Sequence, residues 1–362
     1  MAADDVATAR DRTATSASPA RAASAGDARL RTVAHLPVPL VASKVTPPVP
    51  RPGSVTRTAL IDWLGAKADV PIIAVVAPAG YGKTTLLRQW AEHDPRPFAW
   101  LSVDARDNDP AVLLTYLAAA IDQIVPVDPG VFRSLSAPHS DLSTVVPRVL
   151  QACGPPSQSA GLVIDDLHLL DDDSCGNLIA DVVDRMPAGW QVALAGRGPL
   201  PPPVARIRGE GRIAELAAGD LAMDDEEAAA LLRSVDVDLR PPVIAELNRQ
   251  VEGWPVALYL AGLAILSEPD LDPTADVAIG ASRFVSDYTR SEVLAHLSAD
   301  DVEFLMCTSI LDKLSGSLCD AVVRTTGSGD RLDRLERANM LLTPLDLTCT
   351  WYHCHHVLRE VM

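Results

Sequence analysis

Two glycines, a lysine and two threonines lie close together at Gly80, Gly82, Lys83, Thr84 and Thr85, inside the run Ala77-Pro78-Ala79-Gly80-Tyr81-Gly82-Lys83-Thr84-Thr85. Those residue types in that order suit the cradling of a polyphosphate. Glycine lets backbone N–H groups turn inward, and a helix beginning at the lysine points its positive end at the anion. In such a loop Lys83 reaches the β and γ phosphates, the Thr84 hydroxyl ligates Mg2+, and Thr85 touches the α phosphate. Ala77 stands where glycine is commoner. The motif needs an apolar strand before it and a helix after it. Ile72 to Ala77 is continuously apolar and β-branched, as a strand covered on both faces is, and Lys83 to His93 has a helical pattern. The implied ligand is ATP or ADP with Mg2+.

Further along, Gly161-Leu162-Val163-Ile164 runs into Asp165-Asp166. Carboxylates at the end of a buried strand suit a metal-and-water role, with Asp165 holding Mg2+ through water and Asp166 orienting or deprotonating the attacking water. Without the phosphate loop, such a run is more often a strand entering a solvated turn. Arg197 follows another strand-like run, Trp190 to Ala195. In a parallel sheet this is the ligand-bearing edge, so Arg197 is either a reader of the γ phosphate or a surface salt-bridge residue. Gly253-Trp254-Pro255 opens the most apolar helix with proline at its first position, which alone marks only a helix start. Cys349, His353, Cys354, His355 and His356 crowd the C-terminus. Three of the four from 353 to 356 are histidines on an alternating strand, and no second cluster completes a tetrahedral zinc site.

The elements that must position these residues fall into three groups. Strands are expected at Ile72 to Ala77, Phe98 to Val103, Gly161 to Ile164, Trp190 to Ala195 and Arg212 to Leu216, with helical patterns between them such as Pro110 to Ile124. That alternation is the pattern of a parallel sheet with flanking helices. After Leu216 the strands stop, and helices are expected at 224–234, 241–252, 255–266, 280–297 and 299–311. The apolar stretch from Val256 to Leu266 falls short of the roughly 20 residues that span a bilayer and reads as a buried helix. Three or four helices from about 280, followed by short strands at Met340 to Leu345 and Thr350 to Cys354, then suggest a winged helix. The expected fold is an α/β P-loop NTPase over 43–218, a helical lid over 219–278 and a winged helix over 279–362. Residues 1–42 lack hydrophobic periodicity and are expected to be a disordered tail.

Composition narrows the partners. Hydrophobic residues make up 48% of 362, enough for real cores, while 48 acidic residues against 31 basic ones leave a net charge of −17. Such a field repels nucleic acid, and no local basic patch offsets it, so no direct DNA contact and no membrane contact are expected. Six scattered cysteines without C-x-x-C pairs, and no secretory leader, point to the cytoplasm.

With these motifs placed, residues 44–362 resemble the ATPase module of MalT-type regulators, large LuxR-family transcription activators in the STAND class of P-loop switch ATPases. The resemblance rests on ordered signposts. They include Lys44, Pro48 and Arg51, Val55-x-Arg57, the phosphate loop with Gln89-Trp90, Asp107-Asn108-Asp109-Pro110, Ile164-Asp165-Asp166-Leu167-His168, Glu252-Gly253-Trp254-Pro255 and Trp351-Tyr352-x-x-His355-His356. The resemblance implies that Val55 and Arg57 lie beside adenine, that Pro255 packs on the base, and that Arg197 senses the γ phosphate. It also implies that His355 or His356 touches the ADP phosphates when a winged helix closes over the nucleotide. Slow hydrolysis then resets a switch, with possible ATP-dependent association with itself or with related regulators. Relatives of this kind continue into a sensor domain and a DNA-reading helix-turn-helix, so a fragment or a shortened paralogue is expected. A scaffold that titrates longer relatives is the main alternative, and a small-molecule P-loop kinase is a weaker one, since no arginine-rich mobile lid is legible after Leu216.

Overall fold

Short β-branched runs form the first layer because each buries both faces. The computed structural model describes residues 40–50, 53–137, 141–154, 159–267, 283–338, 340–346 and 348–362. Most of the tail expected at 1–42, Arg51 of the signposts, and the boundary expected at 278/279 lie outside them. Leu40 packs against a buried cluster and Ala42–Lys44 forms a single 3-10 turn, so the last residues of the expected tail are packed.

Strands β1 (Ile72–Val76), β2 (Phe98–Ser102), β3 (Ala160–Asp165), β4 (Trp190–Gly196) and β5 (Ile213–Leu216) form one sheet in the order β2-β3-β4-β1-β5. All four pairings are parallel. Strands β1, β3 and β4 are almost wholly buried because helices cover both faces, whereas only Leu216 of the edge strand β5 is buried. Those helices are α1 (Thr58–Gly65), α2 (Lys83–His93), α3 (Pro110–Asp122), α4 (Pro129–Leu135), α5 (Leu142–Gln151), α6 (Asp173–Asp184) and the single turn α7 (Pro202–Ala205). Asp109 caps α3 by accepting from the Ala111 and Val112 amides, with proline at the first helical position where a missing N–H costs nothing.

A helical group follows: α8 (Ala218–Leu221), α9 (Asp225–Ser234), α10 (Pro241–Gln250) and α11 (Pro255–Ser267). Asp224 and Glu227 form a reciprocal capping box on α9. The helix expected to be buried, α11, is buried only on one side: Pro255, Ala257, Leu258, Ala261 and Gly262 face inward, while Tyr259 and Leu266 are exposed. Apolar composition all round carried no information about which face packs.

The last part contains α12 (Arg283–Glu292), α13 (Ala299–Thr308), α14 (Gly316–Val323), α15 (Ser328–Arg337) and α16 (His356–Val361). With them is a small antiparallel sheet, β6-β8-β7, of Leu314–Ser315, Trp351–Cys354 and Leu342–Pro344. This is the expected winged helix with two additions. The strand Leu314–Ser315 and helix α16 were not foreseen, because two residues are too few to show alternation and His355 caps α16 through its own ring.

Candidate functional site

The phosphate loop joins β1 to α2 at the carboxyl edge of the sheet, where ligands of parallel sheets bind. Gly80 and Gly82 adopt φ of 79° and 78°, left-handed values that glycine takes without strain. Gly82 is the N-cap of α2 and supplies no side-chain cap, so the first amides of the helix are left to an anion. Lys83 is buried and folds back over its own loop, its Nζ donating to the carbonyls of Ala77 at 2.7 Å and Pro78 at 2.9 Å. Burial pulls its pKa down to about 8, against the attraction of Asp165 and with the help of Arg197.

Strand β3 brings Asp165 to the same edge. Its side chain is buried, accepts from the Asp166 amide at 2.9 Å and has the Thr84 hydroxyl beside it, which favours the charged form. Burial, reinforced by the charge of Asp166, lifts its pKa to about 6. The two residues expected to hold Mg2+ are therefore in contact. Asp166 turns out of the strand at φ 61° and lies in the field of Lys83 and Arg197. Because β4 separates β1 from β3, its end places Arg197 between the loop and the aspartates. There the guanidinium pairs with Glu292 at the end of α12, 3.0 Å from Oε2 and 3.3 Å from the backbone carbonyl. The donor set fits a nucleoside polyphosphate with Mg2+: uncapped amides, a lysine, a hydroxyl beside a buried carboxylate, and open space around Gly82.

The turn before α11 grips this loop from the other side. Trp254 Nε1 donates to the Ala79 carbonyl at 2.9 Å, the Val256 amide donates to the Gly80 carbonyl at 3.3 Å, and the Trp254 ring stacks on Tyr81 with centroids 6.4 Å apart. Pro255, between them, is buried. A Cβ on Gly80 would stand 2.3 Å from Val256 Cγ1, so the close approach itself requires glycine. Sequence reasoning treated Gly253-Trp254-Pro255 as a helix start, and only the fold reveals Trp254 as the loop's clamp.

Val55 and Arg57 run beside α2. Gln89, buried in α2, binds both ends of that segment: its Oε1 accepts from the Arg57 amide at 3.1 Å and its Nε2 donates to the Val55 carbonyl at 2.8 Å. All three guanidinium nitrogens of Arg57 are engaged, with Glu227 and the carbonyls of Leu221 and Ala222. Its charged head thus holds the helical group to the sheet. Asn108 has a similar positioning part, accepting from the Asp171 and Asp172 amides and donating to the Leu169 carbonyl, which fixes the loop leaving Asp166.

The C-terminal histidines diverge. His355 is 5% exposed and packs edge-on against Trp254 at 5.5 Å, whereas His356 is half-buried with its Nε2 3.5 Å from Glu360. His353 Nε2 lies 2.9 Å from Glu252 Oε1. His355 Nδ1 accepts from the Val357 amide at 3.3 Å, and its buried Nε2 faces Glu252 Oε2 at 4.0 Å without a hydrogen bond. Burial lowers the His355 pKa to about 4.

Residues 290–362 match the family model of the MalT winged helix domain. The HTH-type transcriptional regulator MalT of Yersinia enterocolitica is 30% identical over 332 residues, covering 88% of this chain and 36% of the relative. The MalT of Serratia proteamaculans is 31% identical over 330 residues, with the same coverage of 88% and 36%. The serine/threonine-protein kinase PknK of Mycobacterium tuberculosis is 28% identical over 331 residues, covering 90% of this chain and 30% of the relative. The chain thus spans about a third of the length of these relatives. Among solved structures, a Walker-type ATPase of Pyrococcus abyssi shares the fold with a TM-score of 0.59 at 16% identity, over 87% of this chain and 98% of that one. The fold is accordingly that of a P-loop ATPase carrying a winged helix, and over most of its length the chain is a relative of the MalT-type regulators.

Proposed function

We propose that this chain is the nucleotide-operated switch of a STAND-class, LuxR-family regulator, binding ATP or ADP with Mg2+ and hydrolysing ATP slowly to reset itself. The observation that carries this reading is the double use of Trp254. One side of its ring holds the phosphate loop through Ala79 and Tyr81, and another packs on His355 of the winged helix. A change at the phosphates is thereby felt in the winged helix directly.

In this reading Thr84 and Asp165 would hold Mg2+, which would supply charge neutralisation on the phosphates. Lys83 exchanges the Ala77 and Pro78 carbonyls for phosphate oxygens, the amides from Gly80 to Thr85 cradle the chain of phosphates, and Asp166 orients the attacking water. Arg197 reports the γ phosphate by leaving Glu292. Val55, the Arg57 backbone and Pro255 flank the base, and His355 rather than His356 is the histidine presented to the loop. The domains are 43–218, 219–278 and 279–362. The winged helix serves as an internal clamp, in keeping with Arg331, Arg337 and Arg359 each being paired with an aspartate. The switch works in the cytoplasm through association with itself or related regulators; no described helix is long and apolar enough to cross a membrane.

The test is direct. Purified protein should carry ADP or bind ATP in the presence of Mg2+, and Lys83→Ala should abolish binding. Unchanged binding in that variant would sink the reading.

A further inference from the structure

Glu252 is a non-glycine residue at φ 51°, a left-handed conformation that costs a glutamate about 1 kcal/mol. The turn it occupies is over-determined: Gly253 follows at φ 71° with its carbonyl accepting from the Met223 amide at 2.8 Å, and Trp254 comes next. The strain aims the carboxylate at the winged helix. Oε1 accepts from His353 Nε2 and from the His356 backbone amide, both at 2.9 Å, and Oε2 lies 4.0 Å from His355 Nε2. One carboxylate therefore meets three of the four residues from 353 to 356 at the corner between β8 and α16, two residues from the indole that holds the loop.

We propose that Glu252 is the positioning residue that latches this corner onto Trp254, so that release of a nucleoside diphosphate is linked to a proton on His353. The proposal rests on the nucleotide-switch reading. The groups facing Glu252 are His353, the buried Cys354 thiol, His355 and the His356 amide from the winged helix, and Tyr81 from the phosphate loop; His353 and Cys354 also face Arg359. Burial opposes ionisation of Glu252, yet the His353 hydrogen bond and the His355 charge hold its pKa down to about 2. The same hydrogen bond raises His353 above its usual value, and His355 stays neutral above about 4. Among the groups facing Glu252, His353 is then the one that titrates as solution turns alkaline, while Lys83 of the phosphate loop, at about 8, titrates over the same range in wild type and Glu252 variants alike. The latch is complete below pH 6.5 and weakens as pH rises through the raised His353 value.

Dissociation of a fluorescent ADP from the full chain should accelerate about fivefold to tenfold between pH 6 and pH 9, as a charge-assisted bond becomes an ordinary one. Glu252→Gln and His353→Gln should release fast at both pH values, keeping only the shallower slope that Lys83 contributes. A purely structural role would lower thermal stability and leave the pH slope intact. Hydrogen exchange of the peptide containing the His356 amide reads the latch with no nucleotide present: protection should fall at pH 9 after correction for intrinsic rate, and in Glu252→Gln at both pH values. Failure to bind ADP while exchange behaves as expected overturns the switch reading and leaves the latch. A pH-independent wild type, or variants that keep the wild-type pH slope and exchange, overturns the latch.

Discussion

The indole N–H of Trp254 donates to the carbonyl of Ala79, a backbone group of the phosphate loop itself, and the same ring stacks on Tyr81 two residues further on. A loop whose carbonyls are held from outside cannot relax independently of the helix that holds it. The conformation of the loop is a property of α11 and the winged helix as much as of the sheet.

Removing the donor tests this. Trp254→Phe keeps a ring beside Tyr81 and His355 but leaves the Ala79 carbonyl unpaired, and should cost about 1–3 kcal/mol in urea unfolding. Trp254→Ala opens a cavity as well and should cost about 3–5 kcal/mol. Equal losses would mean that the hydrogen bond is not what fixes the loop.

The two loop glycines should respond differently to alanine. Both have left-handed φ, but only at Gly80 would the new Cβ meet a neighbour, Val256 Cγ1, at 2.3 Å; around Gly82 nothing lies within 4 Å. Gly82→Ala should lose about 1 kcal/mol from backbone strain. Gly80→Ala should lose a further 1–3 kcal/mol or so from overpacking, part of which Val256→Ala restores. Identical unfolding midpoints for the two single variants would contradict the close approach.

Asn108 makes a prediction about the loop that leaves the carboxyl edge of the sheet. Asn108→Ala removes the acceptor shared by the Asp171 and Asp172 amides and the donor to Leu169, and should cost about 1 kcal/mol while speeding hydrogen exchange at those amides. Asn108→Asp keeps the acceptor, so it should protect the amides without recovering the Leu169 bond. Unaltered exchange in Asn108→Ala would rule out a positioning part for this side chain.

Acid should loosen the winged helix through His355. Its folded pKa of about 4 lies below the usual 6.5, so the stability it contributes is present above pH 6.5 and is lost as pH falls from 6.5 toward 4. For so buried a ring the loss amounts to about 3 kcal/mol, and His355→Gln should make that part of the stability curve shallower without flattening it, because burial lowers His168 to about 4 as well. Glu252, held down to about 2, keeps its contribution above its ordinary 4.5 and loses it only as pH falls below that value, so most of the 6.5-to-4 window belongs to the imidazoles.

The parallel-sheet half of the fold was legible because buried parallel strands and phosphate loops write themselves locally: every expected strand of the large sheet lies within a residue or so of its place. Helix α6 was legible too, since Asp172 caps it and Cys175, Leu178, Ile179, Val182 and Val183 recur at helical spacing, though a reading led by strands passes over it. Helix α5 was harder, with Pro147 inside it and breaking the pattern. At the site, Lys83, Thr84 and Asp165 announce their chemistry by type and spacing. Gln89, Glu252 and Trp254 do not, because their partners are distant in sequence and nothing in a local window records which carbonyl an indole or an amide will meet.

The strand order has a consequence for how the chain is made. Strand β1 lies between β4 and β5, yet both neighbours are translated more than a hundred residues after it. At ordinary elongation rates the apolar run Ile72–Val76 leaves the ribosome about 5–20 s before anything can pair with it. Through that interval it is an unpaired, β-branched edge exposed to other nascent chains, so the strand that anchors the phosphate loop is also where a chaperone would have most to protect.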